Sequence, residues 1–175
     1  MARNRRSAKQ AGYQLEAQME RWLQWAFADP RICRLRTHGR LDRGDIGNLF
    51  YMGQPVVIEC KSTANGPDGR PRGVRREFDE ALYEAAVVGS DWPVLVKKRD
   101  RVTDRDHMAG GRQLAVIQRR TWRLLADNLA EGVGLDWLHD APLTPLPRNP
   151  RLIGADCATV FRLFNHGLPL GPDDA

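Results

Sequence analysis

Glu59 and Lys61 stand two residues apart at the end of an apolar, β-branched run, Val56-Val57-Ile58-Glu59-Cys60-Lys61. On a strand, that spacing puts a carboxylate and an ammonium on one face and Val56, Ile58 and Cys60 on the other. Asp45 precedes a second apolar run, Ile46 to Met52, and a turn at Gly53-Gln54 would fold the two runs into a hairpin. Two carboxylates brought together repel unless a cation lies between them. A hard divalent ion, Mg²⁺ or Mn²⁺, takes such oxygen ligands and keeps several waters. One of those waters can be activated to attack a phosphodiester. Lys61 would orient or deprotonate that water, or offset charge in the transition state.

A Glu-x-Lys tripeptide alone is a weak signal, and a surface ion pair on an edge strand is the plain alternative. Two charges on a half-buried strand nevertheless need a reason. The chain uses four lysines against 23 arginines, so a lysine at this strand end suggests that a compact point charge is wanted, although Lys97 and Lys98 break the same pattern. Asp42 competes with Asp45 but lies within the loop, between Leu41 and Arg43, whereas Asp45 directly precedes the strand.

The elements that must hold these residues are legible from periodicity. Leu15, Met19, Trp22, Leu23 and Ala26 recur at helical spacing over Tyr13 to Phe27, and Asp29-Pro30 stops that helix. Glu16 and Glu20 lie one turn apart on it, and either can face the site. Ile32 to Arg36 reads as a short strand and Thr37 to Gly44 as a polar loop. After the hairpin comes a Gly/Pro-rich loop, Thr63 to Gly73. A helix over Val74 to Val88 follows, then strands at Trp92 to Lys97 and Leu114 to Ile117, and a helix from Trp122 to Leu129. Prolines at 142, 145, 147 and 150 deny regular structure to most of the remainder, apart from a last short helix within Ala155 to Phe164. The order predicts an α/β sandwich around a mixed sheet. Its expected parts are a basic arm over 1–11, a catalytic domain over 12–134 and a Pro-rich extension over 135–175.

The net charge of +5 is unevenly placed, with +7 over residues 1–135 and −2 from Asp136 on. Basic clusters at Arg3–Lys9, Arg70–Arg76 and Lys97–Arg105 suit a polyanion partner such as nucleic acid, or a merely solvated face. His38, Arg40, Arg43, Lys97, Lys98 and Arg99 flank the expected strand ends where a phosphate backbone would pass. Cys33, Cys60 and Cys157 make no CxxC pair, and three thiols cannot close a zinc site, so they read as buried free thiols in a reducing compartment. His107, His139 and His166 form no metal-spaced pair. No apolar run reaches the roughly 18 residues of a membrane span. No apolar stretch follows the basic Met1 to Gln10, so a cytoplasmic protein is expected.

Gly44-Asp45-Ile46, a turn glycine and Val57-Ile58-Glu59-Cys60-Lys61 together resemble the PD-(D/E)xK nucleases. Within that superfamily they are most similar to archaeal Holliday junction resolvases and the resolvase-like endonucleases of phages. Gly12 and Glu16, followed by Met19, Leu23 and Phe27, match the leading helix of that group, and the likeness covers about residues 10–100. It implies a restriction-endonuclease-like core, a central mixed β-sheet flanked by helices in the order αβββαβ. It implies Mg²⁺ (or Mn²⁺) held by Asp45, Glu59 and the Cys60 carbonyl, with Glu16 as an outer ligand and Lys61 in the family's lysine role. It further implies a DNA substrate, branched or duplex, products with 5′-phosphate and 3′-hydroxyl ends, and a two-fold dimer. The family's proline before the aspartate is Gly44 here, a change expected to be harmless. The loop Arg36 to Arg43 is no close match to the resolvases. A restriction-like or single-strand-processing nuclease, and a non-catalytic nucleic-acid-binding protein on the same fold, are the alternatives.

Overall fold

The computed structural model of the chain describes residues 5–35, 43–63, 65–100, 102 and 106–172, and of residues 5, 6 and 107 the backbone alone. The first helix, α1 (Arg5–Ala26), starts well before the expected Tyr13, so the basic arm foreseen over 1–11 is helical from Arg5. Its apolar stripe of Leu15, Met19, Trp22, Leu23 and Ala26 is buried throughout. The turn after α1 needs Ala28 at φ 48°, and Gln24 ties it by donating to the Ile32 carbonyl at 2.8 Å.

Seven strands form one mixed sheet: β1 (Cys33–Arg34), β2 (Ile46–Gly47), β3 (Phe50–Tyr51), β4 (Gln54–Lys61), β5 (Trp92–Lys97), β6 (Leu114–Gln118) and β7 (Leu152–Asp156). Their order is β1-β2-β4-β5-β6-β7, with β3 pairing the start of β4. Only β4 and β5 run parallel, and α2 (Val74–Val87) is the crossover between them, as a parallel pair requires. The strand expected over Ile46 to Met52 is broken in two by Asn48 at φ 66°, whose side-chain amide donates to the Arg31 carbonyl at 2.7 Å.

Alternation along β4 sorts the two layers. Val56, Ile58 and Cys60 face the larger core, built with α1 and with α3 (Arg119–Asp127) and α5 (Cys157–Phe164). The opposite face packs under α2, where Val74 and Phe78 meet Leu95, Leu114, Val116 and Leu152. The α/β class and the helix-flanked mixed sheet therefore hold.

The C-terminal segment departs from expectation. Residues 135–172 do not form a separate extension. A single turn, α4 (Asp136–His139), leads to a proline-bearing loop, and β7 then pairs antiparallel with β6 along its whole length. Ile153, Ala155, Cys157, Val160, Phe161, Leu163 and Phe164 belong to the same core as α1. The prolines confine irregular backbone to 141–151, and the helix expected within Ala155 to Phe164 begins at Cys157, capped by the Asp156 side chain. Among the described residues no helix is long and apolar enough to cross a membrane.

Candidate active site

The β2–β4 register decides what Asp45 meets. Ile46 pairs with Ile58, which brings Asp45 beside β4, where its carboxyl is in hydrogen-bonding contact with Glu59. The Asp45 amide donates to the Ile58 carbonyl at 2.8 Å, and its carboxylate accepts from the Cys60 amide at 2.7 Å. Strand geometry turns the amide and carbonyl of one residue to the same edge. The Cys60 carbonyl therefore points toward the edge where Asp45 sits, while the Cys60 thiol is buried on the far face.

Gly44 makes this approach physically accessible. It sits at φ 90°, and a Cβ there would lie 3.0 Å from the Ile58 carbonyl oxygen. A proline, held near φ −65°, cannot adopt that backbone.

The electrostatics of the cluster follow from burial and neighbours. Asp45 is pushed up to about 6, chiefly by burial and further by the negative charge of Glu16. The Cys60 amide, the Lys61 charge and a hydrogen bond with Glu59 pull it back. Two carboxyl groups in hydrogen-bonding contact need a shared proton or a cation between them. Glu59, only 6% exposed, forms an ion pair with Lys61, and Lys61 reaches a second carboxylate, Glu80, at 2.8 Å. Burial alone would lower the Lys61 pKa, but the bonds to Glu59 and Glu80 outweigh it and raise it above the usual lysine value.

Glu16 and Glu20 have different surroundings. Glu20 is committed to Arg34, accepting from its amide at 2.9 Å and its guanidinium at 3.0 Å. Glu16 is the one whose charge reaches both Asp45 and Cys60. Asp42, with His38 and Arg40, lies outside the described residues. Arg43 is exposed two residues before Asp45.

Lys97, expected to touch phosphate, does not face solvent. It is fully buried beneath α2, ion-paired with Glu77 and bonded to Thr63, whose hydroxyl also donates to Glu77 at 3.0 Å. Its register partner is Lys61, so alternation turns both to the α2 face, and α2 covers the strand where Lys97 lies. Arg99 is spent on structure, donating to the Thr144 hydroxyl at 3.0 Å and the Arg112 carbonyl at 3.3 Å. Lys98 is half-buried.

Glu59 and Lys61 open into a cleft of about 440 Å³ whose other wall is α2, through Arg76, Glu80, Tyr83 and Glu84. Of these, Glu80, Tyr83 and Glu84 were not singled out from the sequence, and Arg76 only as the end of a basic cluster. The available signal was the spacing of 76, 80 and 84, a polar stripe at i, i+4, i+8 on a helix that follows the charged strand.

Among the described residues, no group of three or more His, Cys, Asp or Glu side chains is gathered as a ready metal cage. The oxygen set nonetheless suits a hard cation that keeps much of its water: two carboxylates in contact, a carbonyl on the same edge and a third carboxylate nearby. The chain matches no family model, no curated protein and no solved structure.

Proposed function

We propose that the chain is a Mg²⁺- or Mn²⁺-dependent DNA endonuclease on a restriction-endonuclease-like core. The observation that carries this reading is the hydrogen-bonding contact of Asp45 with Glu59, with Lys61 ion-paired to Glu59 from two residues further along β4. The surrounding order supports it: a leading helix, an antiparallel strand set, a crossover helix and a parallel strand, as the resemblance to the PD-(D/E)xK nucleases implies.

Asp45, Glu59 and the Cys60 carbonyl would hold the ion, with Glu16 behind them. When bound, it supplies Lewis acidity toward a phosphate oxygen and acidifies a water. Lys61 keeps its proton through the neutral range, so it donates to a charged oxygen or to the attacking water and does not act as the base. Glu80 gives Lys61 a second carboxylate partner at 2.8 Å, which would hold the ammonium were Glu59 engaged with a cation. Asp45 is half-ionised near pH 6 and gains the charge that would bind a cation as pH rises beyond that.

The test is a cleavage panel of four-way junction, flap, duplex and single-stranded DNA in Mg²⁺ and in Mn²⁺. Lys61→Ala and Asp45→Asn should each lower cleavage by about 100-fold or more while the variants stay folded, the usual scale for removing a group that stabilises developing charge. Parent-like cleavage by both variants would sink the assignment. Faster cutting of junction or flap than of duplex identifies a structure-selective enzyme.

A further inference from the structure

The cleft at Glu59 and Lys61 does not end at α2. Arg76 and Asp79 line both it and a neighbouring groove of about 940 Å³. That groove is walled by the loop 67–73, the first turn of α2 and the loop Pro145 to Asn149. Five arginines line it (Arg70, Arg72, Arg75, Arg76 and Arg148) against Asp68 and Asp79. Arg70 and Arg75 are partly offset by Asp68 at 3.7 Å and Asp79 at 3.3 Å. Among the described residues, neither Arg72 nor Arg148 has an ion-pair partner, and both are exposed.

Guanidinium groups gathered around one concavity repel one another until an anion enters. The first turn of α2 adds to this field. Its cap, Gly73, has no side chain to offer, so the opening amides keep their donors. The groove is too large for a single phosphate, and it runs into the cleft that holds Lys61. Its far wall is firm. Leu146 packs on the smaller core, Asn149 donates to the Leu146 carbonyl at 2.8 Å, and Thr144 is bridged to Gly154 and held by Arg99.

We infer that this groove holds the phosphodiester backbone of the strand that runs into the Asp45–Glu59–Lys61 site, gripped by Arg72 from one loop and Arg148 from the other. Only the strand's destination rests on the nuclease reading; the polyanion groove stands on its own arginines. The proline-bearing loop therefore has a role as one wall of the substrate path. Guanidinium forks suit phosphate oxygens, which they bind through paired N–H donors.

The experiment is fluorescence anisotropy with a labelled oligonucleotide, single-stranded, duplex and as a four-way junction, in EDTA and across a salt series. Arg72→Ser and Arg148→Ser should each weaken single-strand binding roughly fivefold near 0.1 M salt, and lower the slope of log K against log salt by about 0.7. Arg123→Ser, an exposed arginine on α3, should bind as the parent does. Parent-like binding by both groove variants, an equal loss in Arg123→Ser, or no binding by the parent would overturn the groove. A parent that binds through the groove yet cuts nothing in Mn²⁺ upholds it and removes the nuclease reading. A parent that cuts, with groove variants that bind and cut equally well, does the reverse.

Discussion

At the scale of single residues, the site was readable where local geometry alone decides orientation. Period-two alternation put Glu59 and Lys61 on one face, and the turn glycine brought Asp45 back to them. Glu80 and Glu77 were not readable, because each meets its lysine only after α2 has crossed the sheet. A lysine closing an apolar strand looks like a solvent cap, and only the helix above Lys97 makes it a buried ion. Asp45 carries a pH signature. With its folded pKa at about 6 against 3.8 for the unfolded chain, the native state keeps a proton that the unfolded state releases. That contribution is fully present below about pH 4 and is lost as pH rises through about 6, amounting to about 3 kcal/mol for a shift of two units. Urea denaturation in EDTA at pH 4.5 and pH 7 should show this slope in the parent and a flatter one in Asp45→Asn. An unchanged slope in the variant would place the titration elsewhere. Divalent-ion affinity should rise over the same interval, since the cation displaces that proton.

At the scale of elements, helices and the long strands declared themselves through periodicity, whereas β1, β2 and β3 hold two residues each and take their identity from partners. β7 was hidden for a related reason. Leu152-Ile153-Gly154-Ala155-Asp156 follows Pro150 closely, is too short to show a period and becomes a strand only beside β6. The element most dependent on one pair is α2, clamped to the sheet by the buried Lys97–Glu77 contact. Burial pulls the Lys97 pKa down and Glu77 holds it up, so the pair lives or falls together. Lys97→Met should cost about 3–5 kcal/mol by stranding the Glu77 carboxylate, and Lys97→Met with Glu77→Leu should recover most of that loss. Urea unfolding of the two single variants and the double variant measures it; additive losses would mean that the pair is not coupled.

At the scale of the whole molecule, the boundary drawn near residue 134 follows a change in composition that the fold does not respect. Prolines and a shift to negative charge mark a real loop, but the chain beyond it returns to the sheet and to the main core. Phe161 lies against both Trp22 and Phe27 of the opening segment, with ring centroids 5.6 and 6.4 Å apart. A chain ending at Gly134 would leave β6 as a bare edge and uncover Trp22 and Phe27 where Phe161 meets them, inviting edge-to-edge aggregation. It should be insoluble, or soluble without near-ultraviolet circular dichroism. A truncated form that keeps cooperative unfolding would show that the first 134 residues fold independently.

The contact between Phe161 and α1 also sets a clock. The principal core draws on residues near both ends of the described chain, so a growing polypeptide cannot close it until residues 152–164 have been synthesised. Until then the part of α1 that Phe161 covers at Trp22 stays exposed, the kind of apolar surface through which nascent chains engage holding chaperones or misassociate. A partly made chain thus already carries Asp45, Glu59 and Lys61 before the principal core behind them can close.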